Sequence, residues 1–231
     1  MNSSSSQSKL SLAVDTSSRA LCLAISRGAE IIFSHQDTSG LQQSERLFPL
    51  IEEGLRAAEI TIEDIENFIV VIGPGSFTGL RAGIASVQGL ARSLGKKEFG
   101  VNTFDTLALA ANIIDEPIAV ILNASRGDVY FGARTVFENL EVRVEVPDTI
   151  IAISDVASKI KELNLQHCIS TMPEVTEIIS PELNFINATE INLAEELVVK
   201  SAAIISQPKY ENATPYYLQL SDAEVNLKPQ D

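Results

Sequence analysis

Cysteine, histidine and basic residues are scarce in this chain, and each shortage excludes a class of chemistry. Cys22 and Cys168 are the only cysteines. Two isolated cysteines without a CxxC pair make no disulfide framework. The two histidines, His35 and His167, form neither HxxxH nor HExxH, so metal-assisted hydrolysis has no ligand pair to start from and no metal is expected. Ser76 follows Gly75, but the second glycine of a GxSxG nucleophile elbow is absent. Carboxylates are many, yet no spacing nominates a catalytic pair. Lys and Arg number 17 against 31 Asp and Glu, a formal net charge of -14. Such a chain is poorly equipped to grip nucleic acid alone, because phosphate contacts need basic side chains. The N-terminus lacks the apolar core of a signal peptide. No run approaches the roughly 20 apolar residues that cross a bilayer. The expectation is a soluble cytoplasmic protein with no membrane partner.

What is present is ample core material, 45% hydrophobic residues over 231 positions, enough for one large or two small domains. The organising stretch is Ile72-Gly73-Pro74-Gly75-Ser76-Phe77-Thr78-Gly79-Leu80-Arg81 and the helix after it. Residues 68–72 read as a buried strand stopped by Gly-Pro-Gly. Ser76 is an N-cap candidate, and Leu80, Ile84, Val87, Ala91 and Leu94 follow at helical spacing. A second stripe, Gly79, Gly83, Ser86, Gly89 and Ser93, is small throughout. Each interior glycine costs a helix roughly 1 kcal/mol against alanine, so a backbone is expected to approach closely there. Residues 77–97 hold four basic residues and no acid, whereas residues 45–66 hold seven acids and two arginines. Two solvated helix faces explain this first; pairing between neighbouring helices or with a partner is the sharper alternative.

Along the chain, strands are expected at 10–14, 21–26, 30–36, 68–72 and 98–102. Helices are expected after Ser44, after Ser76 and over 104–113. From Pro117 the order restarts, with strands at 118–124, 128–136 and 140–146, a helix at 154–163, a strand at 167–171 and a helix at 193–205. Residues 172–190 resist assignment. The twice-repeated β-β-β-α-β-α order predicts two similar α/β lobes, each a mixed sheet flanked by helices. The expected division is a disordered tail at 1–9, a first lobe at 10–115, a second at 116–206, and an arm and loose tail at 207–231.

Two stretches are candidate ligand sites. Gly73-Pro74-Gly75-Ser76-Phe77-Thr78-Gly79 has five residues between its outer glycines, one too many for a Walker A loop, and no Lys-Ser/Thr after them. It also misses the dinucleotide fingerprint GxGxxG. A structural turn is the leading reading, with a generic anion site at a helix N-terminus second. Asp15-Thr16-Ser17-Ser18 ends the first strand with a carboxylate beside hydroxyls, a set that can orient a metal-bound or phosphate-bearing ligand. A turn satisfying its own backbone is the leading reading there too. The nucleotide or anion candidates are therefore Asp15, Thr16, Ser17, Gly73, Gly75 and Ser76.

Leu12-Ala13-Val14-Asp15-Thr16-Ser17-Ser18, Gln43-Ser44-Glu45-Arg46-Leu47-Phe48-Pro49-Leu50-Ile51 and the 73–81 motif together resemble the TsaB (YeaZ) family. The likeness is strong over residues 10–111. In the second half, Ser125-Arg126-Gly127-Asp128-Val129-Tyr130 and Pro215-Tyr216-Tyr217-Leu218 are similar to the family as well. Departures stand at Gln43, where many relatives have histidine, at Ala124-Ser125-Arg126 for Asp-Ala-Arg, and at Gln219 for arginine. The resemblance implies an actin/Hsp70-like (ASKHA), ribonuclease H-like fold and a part in making N6-threonylcarbamoyladenosine in tRNA. It implies a non-catalytic partner for the metal-bearing TsaD-type paralogue, a TsaE-type ATPase as third component, tRNA contact only through the complex, and a homodimer when alone. No cofactor is required of this chain, with ATP or ADP at the complex interface left open. The family's dimerisation surface, carried over, falls on Leu47, Leu50, Ile51, Leu55, Gly79, Gly83, Ile84, Val87 and Leu90. The rival readings are an ATP-binding phosphotransferase or ATPase and, behind it, an M22-type peptidase.

Overall fold

A computed structural model describes residues 8–39 and 43–218. Most of the expected N-terminal tail, the tip of the loop before the first helix, and the end of the C-terminal tail with Gln219 lie outside the described residues. The first sheet has the order β3-β2-β1-β4-β5, from β1 (Leu10–Asp15), β2 (Leu21–Arg27), β3 (Glu30–Asp37), β4 (Asn67–Val71) and β5 (Lys97–Val101). β1, β2 and β3 are an antiparallel meander, and β4 and β5 run parallel to β1. The second sheet repeats this as β8-β7-β6-β9-β10, from β6 (Pro117–Ser125), β7 (Asp128–Val136), β8 (Val142–Ala152), β9 (His167–Ser170) and β10 (Asn184–Asn187). Two sheets of one topology make the two related lobes of the ASKHA, ribonuclease H-like class. β1 and β4 are buried along their whole length, so both read as unbroken apolar runs rather than alternating ones.

Helices α1 (Gln43–Ala57) and α2 (Phe77–Ser93) cover one face of the first sheet. Leu12, Val14, Phe68 and Val70 point into this layer, while Ala13, Ile69 and Val71 point to the opposite face. That opposite face is covered by α5 (Leu193–Val199), although α5 follows the second sheet in the chain. In return α3 (Thr103–Ala111), which follows β5, packs on the second sheet against Ile118, Val120 and Ile169. α3 and α5 touch each other between the sheets. All nine α3 residues are buried, including the polar Thr103, Asp105 and Thr106, whose side chains are hydrogen-bonded. Its ends are capped by Asn102, which accepts from Asp105 N, and by left-handed Asn112. α4 (Val156–Glu162) closes the far face of the second sheet.

Three local differences from the sequence reading have physical reasons. β8 continues through Pro147, which an edge strand tolerates where its register with β7 is irregular. The expected helix 193–205 is two, α5 and α6 (Ser201–Ser206), divided at Lys200, whose φ of -95° and ψ of 10° leave helical geometry. Residues 172–190 hold a short 3-10 helix, Pro173–Glu177, and the edge strand β10. Among the described residues no helix is long and apolar enough to cross a membrane.

Candidate functional site

Because β1 and β4 are parallel neighbours, their C-terminal ends lie side by side, and the two candidate stretches that follow them meet. Ser76 N donates to Ser17 O at 2.6 Å. A methyl group added at Gly75 would collide with Ser17 O, one at Gly79 with Thr16 O, and one at Gly83 with the Thr16 hydroxyl. The loop is pinned from behind, with Thr103 N donating to Gly73 O and Thr103 Oγ1 to Pro74 O, both at 2.8 Å. Gly73 has φ +108°, where glycine is at ease and other residues are not. Ser76 caps α2 by accepting from Gly79 N at 3.3 Å. Gln43 donates to Ser18 O and Ala20 O, at 2.9 and 2.8 Å, fixing the turn from α1.

The structure thus brings Asp15, Thr16, Ser17, Gly73, Gly75 and Ser76 into one cluster, but one turned largely on itself. Asp15 is 2% exposed and accepts from Ser17 N at 2.7 Å. Thr16 Oγ1 is buried without a partner. Only Gly75 and Ser76 of the six are exposed. Among the described residues, no group of three or more His, Cys, Asp or Glu is placed to hold a metal ion. Cys22 and Cys168 are free and buried, and burial pushes the Cys168 thiol up to about 12.

The proposed interface residues need a correction. Leu47, Leu50, Ile51, Ile84 and Val87 are buried in the core of their own lobe, and Leu55 and Leu90 are half-buried against it. Gly79 and Gly83 are small because the chain's own Thr16-Ser17 turn lies against them, not because a partner does. What the two helices expose is different. α1 presents Glu45, Phe48, Glu52 and Glu53, and α2 presents Thr78, Arg81, Ala85, Gly89 and Arg92. Phe48 is 46% exposed, and Gly89 faces open space.

A family model described as TsaD, tRNA N6-adenosine threonylcarbamoyltransferase, matches residues 37–213. The Bacillus subtilis tRNA threonylcarbamoyladenosine biosynthesis protein TsaB is 30% identical over 225 residues, covering 93% of this chain and 96% of that one. The chain belongs to the TsaB (YeaZ) family, inside the wider group that the TsaD model describes. A TsaB of Buchnera aphidicola is 31% identical over 68% of this chain and 75% of its own. In fold, YeaZ from Pseudomonas aeruginosa superposes with a TM-score of 0.75 at 24% identity, over 91% of this chain and 100% of that one.

Two features of this TsaB-family chain were not found by motif reading. One is an exposed cluster at the start of α2. Arg81 lies 3.9 Å from the centre of the Phe77 ring, and Tyr217 packs on Phe77 with ring centroids 5.0 Å apart. The other is Arg134 on β7, 1% exposed between Asp105 (2.7 Å) and Asp148 (2.6 Å). The signal for it was present: an arginine inside an otherwise apolar strand must be paired if it is buried. Burial works against the guanidinium charge, but the two carboxylates outweigh it and raise the Arg134 pKa. For Asp148 the balance tips the other way, with burial lifting the carboxyl against the pull of Arg134. The 2.6 Å contact with an always-charged guanidinium decides for an ionised Asp148 at neutral pH.

Burial also raises the Asp15 pKa, with the Ser17 contacts opposing it. A carboxyl raised in the folded state contributes stability below the unfolded value, near 3.9, that is lost as pH climbs through the folded one. Asp15→Asn keeps an oxygen for the Ser17 N–H and removes the charge. It is expected to raise stability at pH 7 by more than the roughly 0.5 kcal/mol typical of surface changes, with the gain shrinking towards pH 4. Urea unfolding at the two pH values checks this; a loss of stability at pH 7 would refute it.

Proposed function

We propose that this chain acts in tRNA threonylcarbamoyladenosine biosynthesis as a non-catalytic partner, docking on a TsaD-type enzyme through the exposed sides of α1 and α2. A TsaE-type ATPase joins that pair, and tRNA is met only through the complex. The observation that carries the reading is the outer side of α2, where Thr78, Ala85 and Gly89 are small and exposed and Ala82 and Ser86, also small, are partly exposed beside them. A partner helix can approach such a face closely. Phe48 beside it would contribute about 1.5–3 kcal/mol on burial, before association costs. The acids of α1 and the arginines of α2 suit a partner built on the same plan, since each helix then meets the opposite charge across a two-fold arrangement. Two copies of this chain would use the same face when no paralogue is present.

Ala85→Glu and Phe48→Glu alter exposed positions, so the fold is expected to stand while co-purification with the TsaD-type enzyme is lost. Retention of the complex by both variants would exclude this face. In a reconstituted tRNA modification assay, leaving the chain out is expected to abolish product. A second reading, ATP or ADP at the rim of the loop, is favoured by the meeting of Asp15 with exposed Gly75 and Ser76. Titration calorimetry of the complex, with Asp15→Ala as control, tests it.

A further inference from the structure

The backbone of residues 211–216 bonds to the first lobe, as do the side chains of Glu211, which accepts from Lys97 Nζ at 3.0 Å, and Tyr217, which accepts from Arg81 Nε at 3.4 Å, while four other side chains of residues 207–218 bond to the second lobe. On the first lobe, Asn212 N donates to Glu98 O at 3.2 Å, Glu211 bridges Phe99, and Tyr216 N donates to Ile72 O at 2.9 Å. Ala213 is buried in the core beneath α1 and α2, and its carbonyl accepts from Gln88 Nε2 at 3.0 Å. The side chains of Gln207, Lys209, Tyr210 and Tyr216 reach the other way. Gln207 Nε2 donates to Leu140 O at 3.2 Å, and Lys209 Nζ to Val142 O at 2.7 Å. Tyr210 OH donates to Asp105 Oδ2 at 2.9 Å, and Tyr216 OH to Asp148 Oδ2 at 3.0 Å. Asp105 lies on α3, which packs on the second sheet, and Asp148 on β8 of that sheet. Both carboxylates are held by Arg134.

We propose that residues 207–218 are a strap that locks the two lobes in one relative orientation, with Tyr210 and Tyr216 as its latches on the carboxylates that Arg134 holds. The inference stands apart from the docking face and from any ligand of the loop. A strap bonded to one lobe alone would follow that lobe; bonded to both, it must break contacts before the lobes can turn. Gly73 makes room for it, since a side chain there would begin 2.6 Å from Tyr216 O. Burial, then Asp148, pushes the Tyr216 hydroxyl up to about 12, so it stays a donor at neutral pH.

The double variant Tyr210→Phe/Tyr216→Phe keeps both rings, buried at 210 and half-buried at 216, and deletes only the latching hydroxyls. Spin labels at Glu53→Cys on α1 and Ser158→Cys on α4, both exposed positions, report the distance between lobes, the two native cysteines being buried. The parent chain is expected to give one narrow distance and the double variant a broadened or split one. Hydrogen exchange at the Asn212 and Tyr216 amides should quicken by at least about tenfold in the variant, as expected when hydrogen bonds to charged groups are lost. A parent distribution already as broad as the variant's, or a variant as narrow as the parent, would overturn the proposal. If the double variant does not fold, Tyr216→Phe alone and Lys209→Ala are read by the same two measurements.

Discussion

Arg134→Met is expected to cost about 3–5 kcal/mol of folding stability, the usual penalty for removing one partner of a buried ion pair. For a protein with about 5–15 kcal/mol in total, that is a large fraction. Methionine replaces the volume but leaves Asp105 and Asp148, each 5% exposed, facing one another without a cation between them. Among the described residues, the cation that remains nearby is Lys209, 3.4 Å from Asp105 and 40% exposed. Burial already lifts the Asp148 carboxyl, and loss of the guanidinium removes the main pull against that lift in the folded state. By linkage, such a group favours folding when protonated and loses that contribution as pH increases through the folded pKa. The deficit of Arg134→Met is therefore expected to be greatest at pH 7 and smaller at pH 5. Adding Asp148→Asn to the variant should recover part of it. Urea unfolding of the three proteins measures this; a loss below about 1 kcal/mol that does not vary with pH would show the cluster to be incidental.

Three glycines on α2 are expected to respond to alanine in three ways. Alanine should stabilise an unobstructed helix interior by up to about 1 kcal/mol, and Gly89→Ala, facing open space, is expected to do so. Gly79→Ala and Gly83→Ala instead force a methyl group into the Thr16 turn, with a loss of about 1–3 kcal/mol from overpacking. Their rescue differs. At Gly83 the obstacle is the Thr16 side chain, so Thr16→Ala should restore most of the stability. At Gly79 it is the Thr16 carbonyl, which no substitution removes, so the same change should do little. A double-mutant cycle at each position separates the cases. Equal rescue at both positions would contradict the packing described here.

The exposed positions are reached by a different argument from the buried ones, and the contrast shows how far the sequence could be read. Apolar spacing at Leu80, Ile84 and Val87 marks one side of α2 as buried, and small residues mark another as closely approached. Neither pattern says by what. The neighbour at Gly79 and Gly83 is a turn more than 60 residues earlier, brought there because β4 pairs with β1. At Gly79 and Gly83 the close neighbour is the chain's own turn, while Gly89 of the same stripe faces open space. Likewise, nothing near residue 134 announces that its partners stand at 105 and 148, or that Tyr210 and Tyr216 donate to those same carboxylates.

Local pattern sufficed for what local physics controls. The strand runs, the cap at Ser76, the duplicated element order and the motifs shared with the TsaB family were all present in the linear chain. Tertiary structure alone decided which lobe each helix covers, with α3 and α5 exchanged between the sheets. It alone decided which side of α2 faces its own turn and which faces solvent, and that residues 207–218 tie one lobe to the other. The reason is that capping and periodicity act within a few residues. Burial of a charge, or the approach of one backbone to another, depends on pairings between segments that lie far apart along the chain.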